Sequence, residues 1–271
     1  MPELPEVETT RSGIETHLVG AAIERLVLRT AKLRWPLDPT LCDRLVGQTI
    51  HTVRRRAKYL LVGLDSGTLL LHLGMSGALR LVPTGTPAGR HDHIDLCLTG
   101  ARTLRFQDPR KFGAFLWVEG DPQQHPLLSR LGPEPFAREL NGRYLQQKAK
   151  GRRLAVKPFI MDQQVVVGVG NIYASEALFR AGIRPTLPAG RISLRRWERL
   201  AEQIRKVLHE AIAAGGTTLQ DFQQSDGKPG YFRQQLLVYG RAGEPCTICH
   251  EPIEQVRLGQ RSTFYCRYCQ K

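Results

Sequence analysis

Apolar positions change their period along this chain. Between residues 5 and 19, Val7, Ile14 and Leu18 fall on one face of a helix. Pro5 suits the first turn, where a missing N–H costs nothing, and Glu6 and Glu8 complement the positive helix end. From residue 23 to 118 the texture becomes strand-like. Tyr59–Leu64 and Thr68–Leu73 flank Asp65-Ser66-Gly67, and His93–Leu98 and Thr103–Gln107 flank Thr99-Gly100, two hairpin signals. Short strands with regular turns predict an antiparallel sandwich or barrel.

Breakers cluster next: Gly120, Pro122, Pro126, Gly132, Pro133 and Pro135 mark a domain boundary. Beyond it the pattern is helical. Asn171–Ala181 reads as a helix ended by Gly182 and Pro185. Ser193 precedes a longer one, in which Leu194, Trp197, Leu200, Ala201, Ile204, Val207, Leu208, Ala211 and Ile212 keep a 3.6 period until Gly215-Gly216. Residues 217–232 are polar and read as a long loop, with a last module from 236. The class is α+β, strands first and helices after.

That last module carries two Cys-x-x-Cys pairs, Cys246/Cys249 and Cys266/Cys269, sixteen residues apart. The spacing fits a zinc ribbon or finger, and four thiolates form a closed shell suited to one structural Zn2+. The competing reading is two disulfides or four unrelated thiols. Cys97, in an apolar run, is expected in the core. This cysteine usage fits a reducing cytosol.

Charge narrows the partner. Thirty-nine Lys and Arg against 25 Asp and Glu give a formal +14. That excess favours a polyanion, nucleic acid before membrane. Residues 1–20 lack the pattern of a signal peptide, and no apolar run is long enough to span a bilayer.

Three segments hold candidate chemistry, each with a bland alternative. Removal of Met1 would expose the secondary amine of Pro2, a nucleophile toward an electrophilic carbon, with Glu3 and Glu6 nearby to move protons. Alternatively, Pro and Glu merely start a helix. Gly168-Val169-Gly170-Asn171 before a helix can seat a phosphate, or can be a tight turn. Asp108-Pro109-Arg110-Lys111-Phe112-Gly113 lies between strands and presents Arg beside Phe, with Met75 at another turn. These are wedge candidates for a base stack, or simple packing.

The ordered set of motifs resembles one family along essentially the whole chain. It comprises Pro-Glu-Leu-Pro-Glu-Val-Glu-Thr at the start, Arg-Ala-Lys-Tyr-Leu at 56–60 and His-Leu-Gly-Met-Ser-Gly at 72–77. His-Asp-His at 91–93, Asp-Pro-Arg-Lys-Phe-Gly, Gly-Val-Gly-Asn-Ile-Tyr, Ser-Asp-Gly-Lys-Pro-Gly-Tyr-Phe at 225–232 and the four cysteines follow. The chain resembles bacterial formamidopyrimidine-DNA glycosylases, which excise 8-oxoguanine and act as abasic-site lyases.

The resemblance implies a catalytic β-sandwich domain with an N-terminal helix (1–132), a helix–two-turn–helix domain with a lesion-recognition loop (133–232) and a zinc finger (236–271), with damaged duplex DNA bound in the cleft between domains. It implies Pro2 as nucleophile on C1′, Glu3 as the acid at the sugar, and Glu6 as a carboxylate ordering the N-terminus. Lys58 matches the β-elimination lysine and Arg261 the finger arginine that grips the lesion phosphate. Asn171 matches a phosphate ligand, and Met75, Arg110 and Phe112 match the residues that fill the gap. His72, His91, Arg152 and Tyr239 match further DNA contacts. Gln220 stands where a close relative carries Lys, which bears on lesion preference. A monomer without organic cofactor or membrane, acting in the bacterial cytoplasm on the nucleoid, is expected.

Two other readings compete. The endonuclease VIII-like branch shares the fold and favours oxidised pyrimidines; Leu4 and the intact 225–232 segment favour the purine branch. A zinc-finger regulator without catalysis is disfavoured by the intact Pro2, Glu3 and Lys58 set.

Overall fold

Helix α1 spans Leu4–Leu18. The Glu6 carboxylate accepts the Glu3 backbone N–H at 2.8 Å and so satisfies one donor at the helix start. Its buried face carries Leu4, Val7, Ile14 and Leu18, the face the periodicity predicts. The computed structural model describes residues 2–216 and 236–271. Gln220 and the 225–232 segment lie outside the described residues, as does all of the polar 217–232 loop.

The chain divides into two units, the first built on Met1–Ser129. Eight strands follow α1, in two antiparallel four-stranded sheets. One sheet has the order β1 (Ile23–Leu28), β6 (Asp92–Leu98), β7 (Arg102–Gln107), β5 (Ala78–Pro83). The other has the order β2 (Ile50–Arg56), β3 (Tyr59–Leu64), β4 (Thr68–His72), β8 (Ala114–Val118). Ile23, Leu26, Ile94, Leu96 and Leu98 from the first sheet join Leu60, Val62, Leu64, Leu69 and Leu71 from the second in one core. The architecture is therefore a sandwich. Each fully buried Leu or Ile contributes roughly 1.5–3 kcal/mol of transfer free energy.

Both hairpins form in register: Tyr59 pairs with His72 and Leu60 with Leu71, while Leu96 pairs with Leu104. Gly67 is required in its turn, because a Cβ there would lie 2.6 Å from the Trp117 ring. Cys97 is buried in β6, as expected. A five-residue helix, α2 (Leu41–Leu45), is an addition; one turn is too short to show a period.

The second unit, Arg130–Ala213 with Gln234–Lys271, holds α3 (Gly142–Ala149), α4 (Val156–Met161), α5 (Asn171–Arg180) and α6 (Leu194–Ala213). Asn141 caps α3 by accepting the Tyr144 N–H at 3.0 Å. The long helix α6 packs on α3 and α5, and its Trp197 is buried against Phe159 with ring centroids 5.6 Å apart. A hairpin of β9 (Glu254–Leu258) and β10 (Arg261–Tyr265) follows. Phe179, Val238, Ile253 and Phe264 form a small core with Cys246 and Cys266. No helix among the described residues is long and apolar enough to cross a membrane.

Candidate functional site

In the first unit the site grows from the start of α1. Pro2, Glu3 and Glu6 are buried. Glu6 is fixed by the Glu3 N–H, and its carbonyl accepts the Thr10 hydroxyl at 2.9 Å. Gly216 passes directly over it: at φ +81°, a Cβ there would meet the Glu6 side chain at 3.2 Å. The Gly-Gly pair therefore does more than end a helix; its second member leaves room for the Glu6 carboxylate.

Helix α1 packs on β2 and β3, the two strands joined at Ala57-Lys58. Ala57 adopts φ +55°, an uncommon conformation for a residue with a Cβ. Lys58 follows it, 8% exposed. Burial of an amine this deep occurs where the surroundings provide partners.

His72, at the end of β4, stacks at 4.7 Å on Tyr59. Its Nδ1 accepts the Gly74 N–H at 2.9 Å, which leaves Nε2 as the protonated nitrogen. Burial, then the positive charges of Lys58 and Arg34, pull its pKa down to about 4. His72 is thus a neutral donor near pH 7, able to meet a phosphate oxygen without bringing charge.

The loop that carries Met75 and the loop that carries Arg110 and Phe112 are clamped to each other. Asp108 is fully buried. One carboxylate oxygen accepts the Ser76 hydroxyl at 2.8 Å and the other accepts the Gly113 N–H at 2.8 Å. The His93 ring nitrogen bonds the Asp108 carbonyl at 2.9 Å. Gly74 lets the loops touch, since a Cβ there would lie 2.5 Å from the Phe112 backbone. The result projects Phe112, 44% exposed, with the Arg110 guanidinium over its ring at 4.9 Å. Met75 is half-buried beside them. Leu33, Arg34, His72, Met75, Lys111 and Phe112 line a cavity of about 500 Å³. His91 lies at the other end of the clamped loop, its carbonyl accepting the Asp108 N–H at 3.0 Å.

The second unit gathers a separate set. Asn171 is the first residue of α5, after an extended Gly170. Its amide donates to the Ser262 carbonyl at 3.0 Å and to the Tyr239 hydroxyl at 3.4 Å. Lys157, 1% exposed, donates to Asn171 Oδ1 at 2.6 Å, Thr263 Oγ1 at 2.9 Å and the Ser262 carbonyl at 3.1 Å. Three predicted residues are thereby brought together: Asn171, Tyr239 and Arg261, the last exposed at the start of β10 after a tight turn at Gly259 and Gln260. Glu176 adds a second brace by accepting the N–H groups of Leu237, Val238 and Tyr239 at 2.9, 3.0 and 2.9 Å. Arg152 is exposed elsewhere in this unit, in the turn after α3.

Sequence reasoning does not single out Asp108, Ser76, Lys157 and Glu176, which brace the candidate residues. Its place at the head of the Asp-Pro-Arg-Lys-Phe-Gly motif is the available signal for Asp108. Lys157, a lone lysine in the apolar run Val156–Met161, gives none.

The four cysteines converge, with sulfurs all within 4.8 Å of one another. Cys249 and Cys266 Sγ are 3.4 Å apart, Cys246 and Cys269 Sγ 3.9 Å. Tetrahedral zinc–thiolate bonds of about 2.3 Å place sulfurs about 3.8 Å apart, so the shell fits Zn2+. Backbone N–H groups of Ile248 and Cys269 point at Cys246 and Cys266 Sγ at 3.5 and 3.4 Å, which favours thiolates over disulfides. This is a structural zinc site, a closed shell that holds the β9–β10 hairpin.

Known proteins match this chain along its length. Residues 1–115 match the formamidopyrimidine-DNA glycosylase N-terminal domain model, and residues 131–223 match the formamidopyrimidine-DNA glycosylase H2TH domain model. The formamidopyrimidine-DNA glycosylases of Syntrophotalea carbinolica and Stutzerimonas stutzeri are each 57% identical over 271 residues, covering 100% of both chains. Among solved structures, the MutM (Fpg) protein of Thermus thermophilus is 40% identical, with a TM-score of 0.88 over 99% of this chain and 98% of its own. Lactococcus lactis Fpg in complex with Fapy-dG containing DNA is 32% identical, with a TM-score of 0.90 over 99% of this chain and 100% of its own. Whole-length identity, both domain models and the four-cysteine shell agree, and the chain belongs to the formamidopyrimidine-DNA glycosylase family.

Proposed function

We propose that this chain is a base-excision-repair enzyme that removes oxidised purines, 8-oxoguanine and formamidopyrimidines, from duplex DNA and then nicks the abasic site. The observation that carries the reading is the start of α1, where Pro2 is followed by two buried carboxylates in an ordered cap. A secondary amine placed there attacks C1′ of an extruded nucleotide, and the bond to the damaged base breaks. Glu3 protonates the sugar-ring oxygen as it opens. The resulting iminium acidifies the C2′ hydrogens, so β-elimination breaks the 3′ phosphate ester and δ-elimination the 5′ ester.

The other residues take supporting roles in this reading. Glu6 orders the N-terminus. Lys58 assists β-elimination and Arg261 grips the lesion phosphate and assists δ-elimination, each stabilising phosphate charge. Asn171, Tyr239, His72, His91 and Arg152 hold backbone positions. Met75, Arg110 and Phe112 fill the space that the extruded nucleotide leaves. The division into 1–132, 133–232 and 236–271 follows these roles, with a monomer working in the bacterial cytoplasm. The formal +14 charge supports a polyanionic partner.

Single-turnover excision from duplexes bearing 8-oxoguanine opposite cytosine tests the reading, beside a duplex bearing an oxidised pyrimidine. Faster release of 8-oxoguanine is expected. Release of the pyrimidine alone would move the chain to the pyrimidine branch.

A further inference from the structure

We propose that Glu8 and Arg55 are positioning residues that aim Lys58, locking the turn that carries it to the helix that carries Pro2. This deepens the reading of Lys58 given above and rests on it.

The guanidinium of Arg55, on β2, bridges two elements. Its Nε donates to Glu8 Oε2 on α1 at 2.8 Å, and its Nη1 donates to the Ala57 carbonyl at 2.9 Å. Glu8 is itself held: its other oxygen accepts Arg11 Nε at 2.7 Å, while Arg11 Nη1 reaches Glu15 at 2.6 Å. The Glu8 side chain is 22% exposed and that of Arg55 10%, so solvent screens the pair weakly.

The Ala57 carbonyl belongs to the peptide plane that leads into Lys58. Because that plane is rigid, holding its oxygen sets the direction in which the Lys58 chain leaves. Ala57 sits at φ +55°, which an alanine adopts only where neighbours enforce it. The Arg55 fork supplies an enforcing contact, and Glu8 fixes the fork to α1. A planar guanidinium serves both partners at once, whereas a lysine ammonium there cannot reproduce the paired geometry.

The test uses the full-length, zinc-loaded protein and a duplex with a preformed abasic site. Single-turnover strand scission is compared for the parent, Arg55→Lys, Glu8→Gln, Lys58→Ala and the double variant Arg55→Lys/Lys58→Ala. Thermal melting checks that each is folded. Arg55→Lys and Glu8→Gln should slow scission about 10- to 100-fold, the scale for slight misplacement of an active group. Duplex affinity should stay within about twofold, because neither side chain is assigned a phosphate. In the Lys58→Ala background, Arg55→Lys should add almost nothing. If Lys58→Ala is slow and the two losses multiply, the positioning role is overturned while the role of Lys58 stands. If Lys58→Ala cleaves like the parent, the reading of Lys58 fails and the positioning role fails with it. Should Arg55→Lys melt early, Glu8→Gln in the Lys58→Ala background gives the same comparison.

Discussion

The Asp108 carboxylate accepts the Ser76 hydroxyl at 2.8 Å across 32 residues of sequence. This bond joins the loop that carries Met75 to the loop that carries Arg110 and Phe112. Asp108→Asn keeps the shape but replaces one acceptor with a donor: an amide nitrogen facing Ser76 makes the hydroxyl reverse its role and opposes the Arg110 N–H, and one facing Gly113 opposes the Gly113 N–H. The expected cost is roughly 1–3 kcal/mol in urea denaturation, with excision slowed more than the parent-to-variant stability change explains. Full excision activity in the variant would show that the clamp is not needed.

Phe112 is half out of the protein and stacks on Arg110. Phe112→Ala should therefore change stability by about 0.5 kcal/mol or less, yet weaken lesion-duplex binding or slow excision. A loss of about 3–5 kcal/mol, the scale for a phenylalanine in a core, would mark the ring as structural.

His72 makes acid sensitivity predictable. Its folded pKa, held at about 4 by burial and by Lys58 and Arg34, lies below the ordinary value of 6.5. The unfolded chain therefore takes the proton first as pH falls. Stability from keeping His72 neutral is fully present above pH 6.5 and is lost as pH falls toward 4, by up to about 3 kcal/mol. His72→Asn should lose less stability than the parent between pH 7.5 and 4.5 in urea titrations. Equal losses would contradict the shift.

Much of this fold is legible in the sequence because its periods are long. Val7, Ile14 and Leu18 on α1, the two hairpins around Asp65-Ser66-Gly67 and Thr99-Gly100, and the face of α6 from Trp197 to Ala211 all needed local patterns alone. Helices α2, α3 and α4 were not legible, since five to eight residues show at most two turns of a period. In the site, motif residues such as Pro2, Lys58 and Asn171 could be named, and the cysteine spacing anticipated the metal shell. The braces behind them could not. Lys157 meets Thr263 across 106 residues, and Glu176 meets Leu237 across 61. Such pairings depend on tertiary folding, which periodicity does not encode.

Zinc removal should act on the hairpin. Chelation should abolish DNA binding while leaving most far-UV circular dichroism, because the zinc shell orders a small share of the chain. Cys246→Ala should behave alike. A metal-free protein that binds and cleaves normally would separate Arg261 from the metal.

The most direct test of the central claim is borohydride trapping on a duplex with 8-oxoguanine opposite cytosine, followed by peptide mapping. An iminium between Pro2 and C1′ is reduced to a stable adduct, so a covalent protein–DNA species mapped to residue 2 is expected. An N-terminal extension that blocks the amine should abolish it. An adduct mapped to Lys58, with full activity in the extended protein, would contradict the proline mechanism.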